Sequence, residues 1–247
     1  MKELHILNGD ALTNTIIEAG FPHYVVMREC LIDGPVNFNS LSDLYKARAN
    51  FLSPGDEAKY YDHVVKELDK LEMVSKDMSI VLWFEDDLFC QANMWFILHY
   101  LDKLGLTKSV YRVFPLMLQN YHRWGGFGRH YENDLKEAYQ HKVQLTAKDI
   151  ELGKELWEAY STGDFEQLQT LSQTSTQAFH DLPEVIQAHI DRFPQPGQQG
   201  RPERILQKIM DSGVTNFGDL FSKFFSSEGG IYGFGDTQVK GILERMK

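Results

Sequence analysis

The sequence predicts a mixed α/β protein with a mostly parallel sheet, followed by a mainly helical part. Over residues 1–118, short apolar runs alternate with helical patterns in the order β-α-β-α-α-β-α-β, which is typical of parallel sheets. Residues 79–84 (SIVLWF) are continuously apolar, as expected of a strand that is covered on both faces. From Leu145 onward the patterns are helical. We therefore expect a three-layer, Rossmann-like α/β domain over residues 1–125 and a helical domain over residues 126–247.

The elements of the first half follow from local start and stop signals. Ser40 is a good N-cap for the helix after it, Gly105 a good C-terminal stop, and Ile16 and Ile17 are expected to face inward. The predicted elements are strands at 4–7, 24–32, 79–84 and 109–116, and helices at 11–20, 40–53, 57–74 and 88–104.

The second half is predicted as a series of helices with one linker at residues 194–202 (PQPGQQGRP). The expected helices cover 146–164, 165–173, 182–193, 203–213, 216–225 and 237–247. The tail, residues 201–247, has helix–turn–helix spacing with a glycine-rich hairpin at 226–236, which is similar to a winged helix. Its seven Lys/Arg against six Asp/Glu favour packing or protein interaction over DNA binding.

Charge and composition restrict the classes of partner. The net charge of −10 is split evenly between the two halves, which disfavours both nucleic acid and an anionic membrane surface as partners. The sequence has no apolar run of the ~18 residues that a membrane span needs and no apolar signal core at its start. Cys30 and Cys90 are expected to be small buried hydrophobes. A cytoplasmic protein with a small-molecule ligand is the expectation; the sequence leaves the oligomeric state open.

Acidic residues follow three of the predicted strands. Asn8-Gly9-Asp10 ends the first strand, Asp33 the second and Glu85-Asp86-Asp87 the third. Because parallel strands end at one edge of a sheet, where ligands bind in such folds, we expect these carboxylates to form an acidic crescent. The predicted ligand-binding residues are Asn8, Gly9, Asp10, Asp33, Arg48, Glu85, Asp86, Asp87 and Gln91.

Three kinds of ligand fit such a crescent. Mg²⁺ or another hard cation takes oxygen ligands, and Asp10 and Asp86 are the expected metal ligands and catalytic residues. Ribose hydroxyls or a cationic substrate group would fit equally well. Close carboxylates also raise one another's pKa, which can create a general acid or base.

Simpler interpretations compete with each of these. Asp10 and Asp87 are well placed as helix N-caps, and Asp33-Gly34-Pro35 is a turn sequence. One cap, however, needs only one carboxylate of the run Glu85-Asp86-Asp87. Arg48 is either an anion partner or part of a solvated helix face. The loop 123–130 (RWGGFGRH) is a mobile lid, an anion-binding loop or a plain connection.

Several of these motifs resemble one bacterial family. LHILNGDAL, ECLIDGPV, ARANFL and LWFEDDLFCQANMWFILHYL are similar to the family catalogued as domain of unknown function 1835, and the helical half resembles its usual companion domain. The resemblance implies a bacterial, cytoplasmic protein with an α/β domain before a helical one, and it implies no particular activity. The family pattern often has a histidine-like residue where this chain has Glu85-Asp86-Asp87.

The sequence therefore supports two functional hypotheses. The first is a site for a phosphorylated or nucleotide-like small molecule at the acidic carboxyl edge of the sheet, in a metal-dependent enzyme if Mg²⁺ binds there. The alternative is a regulatory or scaffolding protein that uses its tail for protein or DNA interaction.

Overall fold

A computed structural model describes residues 2–118 and 122–247 and shows a mixed α/β protein built on a five-stranded sheet. The strands are β1 (Glu3–Asn8), β2 (Tyr24–Met27), β3 (Ser79–Trp83), β4 (Val110–Val113) and β5 (Val143–Gln144). They lie in the order β2-β1-β3-β4-β5. Strands β1 to β4 are parallel and β5 is antiparallel to β4, so the predicted mostly parallel sheet is confirmed.

The helices surround this sheet and continue beyond it. They are α1 (Thr13–Glu18), α2 (Leu41–Leu52), α3 (Glu57–Tyr60), α4 (Lys66–Leu68), α5 (Leu88–Leu104), α6 (Glu132–Gln140), α7 (Ala147–Thr162), α8 (Phe165–Ser172), α9 (Leu182–Asp191), α10 (Arg201–Asp211), α11 (Phe217–Phe225) and α12 (Asp236–Arg245). Helix α5 has the predicted bounds, and Gly105 ends it in the left-handed conformation with φ 67°. Ser40 caps α2, as predicted, by accepting from Asp43 N.

Alternate side chains of each parallel strand enter different cores. Leu7, Val81 and Trp83 pack on one face of the sheet with residues of α1 and α6. Ile6 and Leu82 pack on the other face, in a larger core that includes residues of α2, α5 and α7. Both faces are covered, which explains why the strand at 79–84 reads as a continuous apolar run.

The sheet extends into the second half of the chain. Helix α6 packs against α1, and β5 pairs with β4 through Tyr111–Gln144 and Arg112–Val143. The expected boundary at 125/126 therefore lies between β4 and its antiparallel neighbour. The sequence analysis missed β5, because two residues are too few for an alternating pattern.

Two predicted features of the first half are wrong. Strand β2 ends at Met27 and does not reach residue 32, because Arg28 and Glu29 leave the sheet to make ion pairs. Ile16 is buried as expected, but Ile17 is 47% exposed, since the first helix has only one face against the sheet.

The glycine-rich hairpin predicted in the tail is also wrong. Residues 228–232 form a 3-10 helix, and Gly233 ends it with φ 61°. Three α-helices and this short helix make up the tail. No helix in the described parts of the chain combines the length and apolar character needed to cross a membrane.

Candidate functional site

The carboxylate of Asp10 is neutralised by an arginine that directly follows the neighbouring strand β2. Arg28 Nε lies 2.9 Å from both of its oxygens, and Arg28 Nη2 lies 2.8 Å from Oδ1. These hydrogen bonds hold the pKa of Asp10 below its usual range. Asp10 is not the N-cap of the helical turn that follows β1, because Gly9 occupies that position.

Asp86 is paired with a buried arginine. Arg112 Nη2, from β4, lies 2.8 Å from Asp86 Oδ1, and His180 Nδ1 lies 3.6 Å from Oδ2. Burial acts to raise the pKa of Asp86, but Arg112 and His180 outweigh it and the pKa lies below its usual range. The amide of Gln91 donates to the backbone carbonyls of both Asp86 and His180, and so joins two distant segments.

Asp87 is the N-cap of α5, as predicted. Its carboxylate accepts from Cys90 N at 3.0 Å. Burial and the nearby charge of Glu85 raise the pKa of Asp87 to about 7. Gly233 packs so closely against this carboxylate that a Cβ atom there would overlap it. The tail therefore covers Asp87.

Glu85 completes a closed cluster in the crevice between β1 and β3. Its carboxylate accepts from Cys90 Sγ at 3.0 Å and from Phe127 N at 3.2 Å. Asn8 donates to the same sulfur at 2.9 Å. A Cβ at Gly126, which has φ 59°, would lie 2.5 Å from Glu85 Cγ, so the loop 123–130 covers the cluster. The crevice between these two strands, where doubly wound folds bind ligands, is thus occupied by the protein's own residues.

The predicted anion partner Arg48 is engaged inside the protein. It is fully buried, and its Nη2 lies 2.7 Å from the buried carboxylate of Glu29. Its Nη1 also donates to the backbone carbonyl of Asp33, and the Tyr60 hydroxyl donates to Glu29. Neither sequence interpretation of Arg48 describes this role, which is to fix the loop after β2.

The predicted site residues therefore have different partners. Asp10, Asp86 and Asp87 each have a separate partner, and Glu85 lies in the closed cluster. Within residues 2–118 and 122–247, no three His, Cys, Asp or Glu side chains are grouped so that they could hold a metal ion. The structure thus gives no support to a Mg²⁺ site at Asp10 and Asp86.

A large open cleft lies beside the loop that follows β2. Its volume is about 1180 Å³, which exceeds the few hundred to ~1,000 Å³ of typical ligand sites. We call it the β2 cleft. It is lined by residues 30–37, the end of α2, the C-terminal ends of α7 and α9, residues 199–203, and one face of α12 with Phe234 before it. Of the predicted site residues, only Asp33 lines it.

Three side chains of the β2 cleft carry buried polar atoms that lack a hydrogen-bond partner in the described structure. They are His189 Nδ1, Arg192 Nε and Glu203 Oε2. His189 is 3% exposed, and burial lowers its pKa to about 2, so the imidazole is neutral. Buried polar groups in folded proteins are nearly always paired with protein, water or ligand. These three are therefore suited to contact a bound molecule.

Further groups in the cleft are free to bind. Within the described residues, the Asp33 and Arg245 side chains have no hydrogen bond or ion pair. Four phenylalanines, from separate parts of the chain, also line the cleft: Phe51, Phe165, Phe193 and Phe234. The cleft thus combines two guanidinium groups, two carboxylates and flat apolar surfaces.

Sequence reasoning missed most of these residues. His189, Arg192 and Glu203 lie near a segment that reads as a linker, and Arg245 reads as part of a solvated helix end. The available signal was on α12, where Thr237, Gln238, Gly241 and Arg245 recur at helical spacing on one face. That face lines the cleft.

Comparison with known proteins adds nothing to this geometry: no family model, curated protein or solved structure matches the chain.

Proposed function

We propose that the protein binds a phosphorylated or nucleotide-like small molecule, and that the β2 cleft is the binding site. The observation that carries this proposal is that three residues with a buried polar atom that lacks a partner, His189, Arg192 and Glu203, line the same cleft. A protein that has no ligand for such atoms loses stability for each of them. Their collection in one open cleft is therefore best explained by ligand binding.

The chemistry of the lining favours an anionic ligand with a ring and hydroxyl groups. Arg245 supplies a guanidinium group that makes no hydrogen bond or ion pair within the described residues, and guanidinium groups bind phosphate through paired N–H donors. Arg192 also lines the cleft, and its Nη1 and Nη2 donate to Ile32 O and to the Tyr160 hydroxyl. Asp33 and Glu203 supply acceptors for hydroxyl or amino groups. The phenylalanine rings offer flat surfaces on which a base can stack. The predicted acidic edge thus contributes Asp33, while Asp10 and Asp86 lie outside the lining.

The tail is part of the proposed site. One face of α12 forms a wall of the cleft, and Gln238 Nε2 lies 3.4 Å from Cys30 Sγ in the loop after β2. This placement supports small-molecule binding over the alternative in which the tail works as a separate interaction module. Two finer proposals accompany it. The strand order β2-β1-β3-β4 supports a Rossmann-like sheet, and the quoted motifs support membership of the family catalogued as domain of unknown function 1835.

Calorimetric titration and thermal shift with AMP, ADP, UMP, UDP and inorganic phosphate test the proposal. We expect at least one nucleotide to bind the wild-type protein and raise its Tm. Asp33→Asn and Arg245→Ala should each weaken that binding. Both side chains line the cleft and make no hydrogen bond or ion pair within the described residues. Asp56→Asn and Lys148→Ala are matched controls, since both residues are exposed and lie outside the cleft.

The outcomes separate clearly. Weakened binding in the two cleft variants and unchanged binding in the two controls supports the β2 cleft as the site. Equal binding by all four variants would place the ligand elsewhere, and no binding by any nucleotide or by phosphate would remove the proposal.

A further inference from the structure

A second groove adjoins the β2 cleft, and it has different chemistry. We call it the α2 groove. It has a volume of about 680 Å³ and lies along residues 37–39 and the exposed side of α2, with Asp43, Lys46 and Asn50, and it reaches Glu57. Asn37 lines both the α2 groove and the β2 cleft, so the two are neighbours on the surface.

The charges of the α2 groove disfavour an anion. One cation, Lys46, stands against the carboxylates of Asp43 and Glu57. Asp43 is already engaged with Ser40, whose hydroxyl lies 2.6 Å from Asp43 Oδ2. A phosphate would meet net negative charge here, whereas in the β2 cleft two guanidinium groups balance the two carboxylates. The two sites therefore suit different parts of a molecule.

The hydrogen-bonding groups of the α2 groove match hydroxyls. Asn37, Asn39 and Asn50 each present an amide that both donates and accepts, which is what a hydroxyl also does. Within the described structure these three amides make no hydrogen bond to protein groups. Phe38 is 39% exposed and supplies the one aromatic ring of the lining. Polar planar side chains beside an exposed ring suit a sugar, which has hydroxyls at its edge and apolar C–H groups on its face.

We infer that the ligand is a nucleoside diphosphate sugar, with its nucleotide in the β2 cleft and its sugar in the α2 groove. The inference rests on the proposed function and adds the substrate class. The anionic and aromatic parts of such a molecule match the arginines and phenylalanines of the cleft. Its neutral, hydroxyl-rich part matches the asparagines of the groove, and Asn37 stands where the two parts meet.

Calorimetry on the full-length protein with matched pairs of ligands tests the inference. The pairs are ADP with ADP-glucose, UDP with UDP-glucose, and GDP with GDP-mannose. For at least one pair we expect the sugar conjugate to bind about tenfold more tightly than the diphosphate alone, which corresponds to about 1.4 kcal/mol. Phe38→Ala and Asn50→Ala should remove this increment and leave the affinity for the diphosphate unchanged.

Asn133→Ala is the matched control, since Asn133 is exposed on α6 and lies outside both sites. It should keep the increment. A diphosphate that binds as tightly as its sugar conjugate, or an increment that survives both groove variants, would overturn the inference while the proposed function stands. If no diphosphate and no conjugate binds, the inference fails, and the proposed function fails with it only when AMP, UMP and phosphate do not bind either.

Discussion

Arg112 Nη2 lies 2.8 Å from Asp86 Oδ1, and the guanidinium that makes this contact is completely buried. The same side chain donates to the carbonyls of Phe84, Glu85 and Ala178. It therefore joins β4 to the turn after β3 and to the segment before α9. The ring of Phe114 lies against the guanidinium, with Arg112 Cζ 4.4 Å from the ring centroid. With these four acceptors, the buried guanidinium of Arg112 holds together the segments at the carboxyl edge of the sheet.

Removal of Arg112 should destabilise the protein strongly. Arg112→Met would leave the Asp86 carboxylate half-buried without its cation and would leave three carbonyls without a donor. We expect the free energy of unfolding to fall by about 3–5 kcal/mol, measured by urea denaturation.

Arg123→Met is the comparison for this variant. Arg123 is 48% exposed and pairs with Asp181 and Glu184, and exposed pairs contribute about 0–1 kcal/mol. If the two variants lose equal stability, the central role of Arg112 is refuted.

Magnesium should leave the thermal stability of the protein unchanged. Asp10 and Asp86, the two carboxylates predicted as metal ligands, are each held by an arginine. A cation would have to displace Arg28 or the buried Arg112 before it could bind. We expect no change in Tm when Mg²⁺ is titrated at constant ionic strength, with Na⁺ as the reference. A saturable rise in Tm that Asp10→Asn abolishes would restore the metal hypothesis.

Replacement of Asp87 by asparagine should stabilise the protein at alkaline pH. The folded pKa of Asp87 is raised to about 7, against 3.8 for the ordinary carboxyl group. The unfolded chain therefore loses this proton more readily, and stability falls as pH rises from about 4 to about 7. The full penalty, on the order of 4 kcal/mol, is present above pH 7.

Asparagine caps a helix as well as aspartate does and carries no charge. Asp87→Asn should thus match wild type near pH 4 and exceed it in stability at pH 8, as denaturation at the two pH values would show. Asp164→Asn is the control, because Asp164 is an exposed cap of α8. If the stability of Asp87→Asn depends on pH in the same way as that of wild type, the raised pKa of Asp87 is contradicted.

Much of the fold could be predicted because its signals are local. The apolar run of β3, the Asp87 cap and the Gly105 stop together define β3 and α5 from their own residues. The partners of Asp10 and Asp86 could not be predicted, because each is an arginine from another part of the chain. Arg28 follows the next strand, and Arg112 reads as an ordinary position in an apolar strand. Strand ends show which residues share an edge, but not which cation each of them binds.

The β2 cleft could not be predicted from the sequence for a related reason. Its walls come from segments as distant as residues 30–37 and α12, and each wall is an ordinary loop or helix face on its own. Among the predicted site residues only Asp33 lines the cleft, and it was noticed because it follows a strand and precedes a glycine. Arg192 and Glu203 gain their significance from packing, which buries Arg192 Nε and Glu203 Oε2 without hydrogen-bond partners.

His189→Phe should separate stability from function in the cleft. His189 packs among aromatic rings, with centroids of Tyr160 and Phe193 at 4.6 and 5.4 Å, and its Nδ1 is buried without a partner. A phenylalanine ring would fill much the same space and remove the buried polar atom, so stability should hold or rise. Because the folded pKa is lowered to about 2, only the unfolded chain is protonated below about pH 6.5. The wild-type protein therefore loses stability as pH falls through this range, and the variant should not.

The same substitution should weaken ligand binding if His189 contacts the ligand. We expect a protein that is at least as stable as wild type in urea at pH 7, more stable at pH 5, and poorer in nucleotide binding by calorimetry. Higher stability combined with weaker binding is expected when a polar group has been retained for binding at the expense of stability. Phe96→Leu, at a buried aromatic position outside the cleft, is the comparison for a change in packing alone. If His189→Phe binds nucleotide as tightly as wild type, the imidazole does not face the ligand, and Arg192 and Glu203 are left to carry the polar contacts of the cleft.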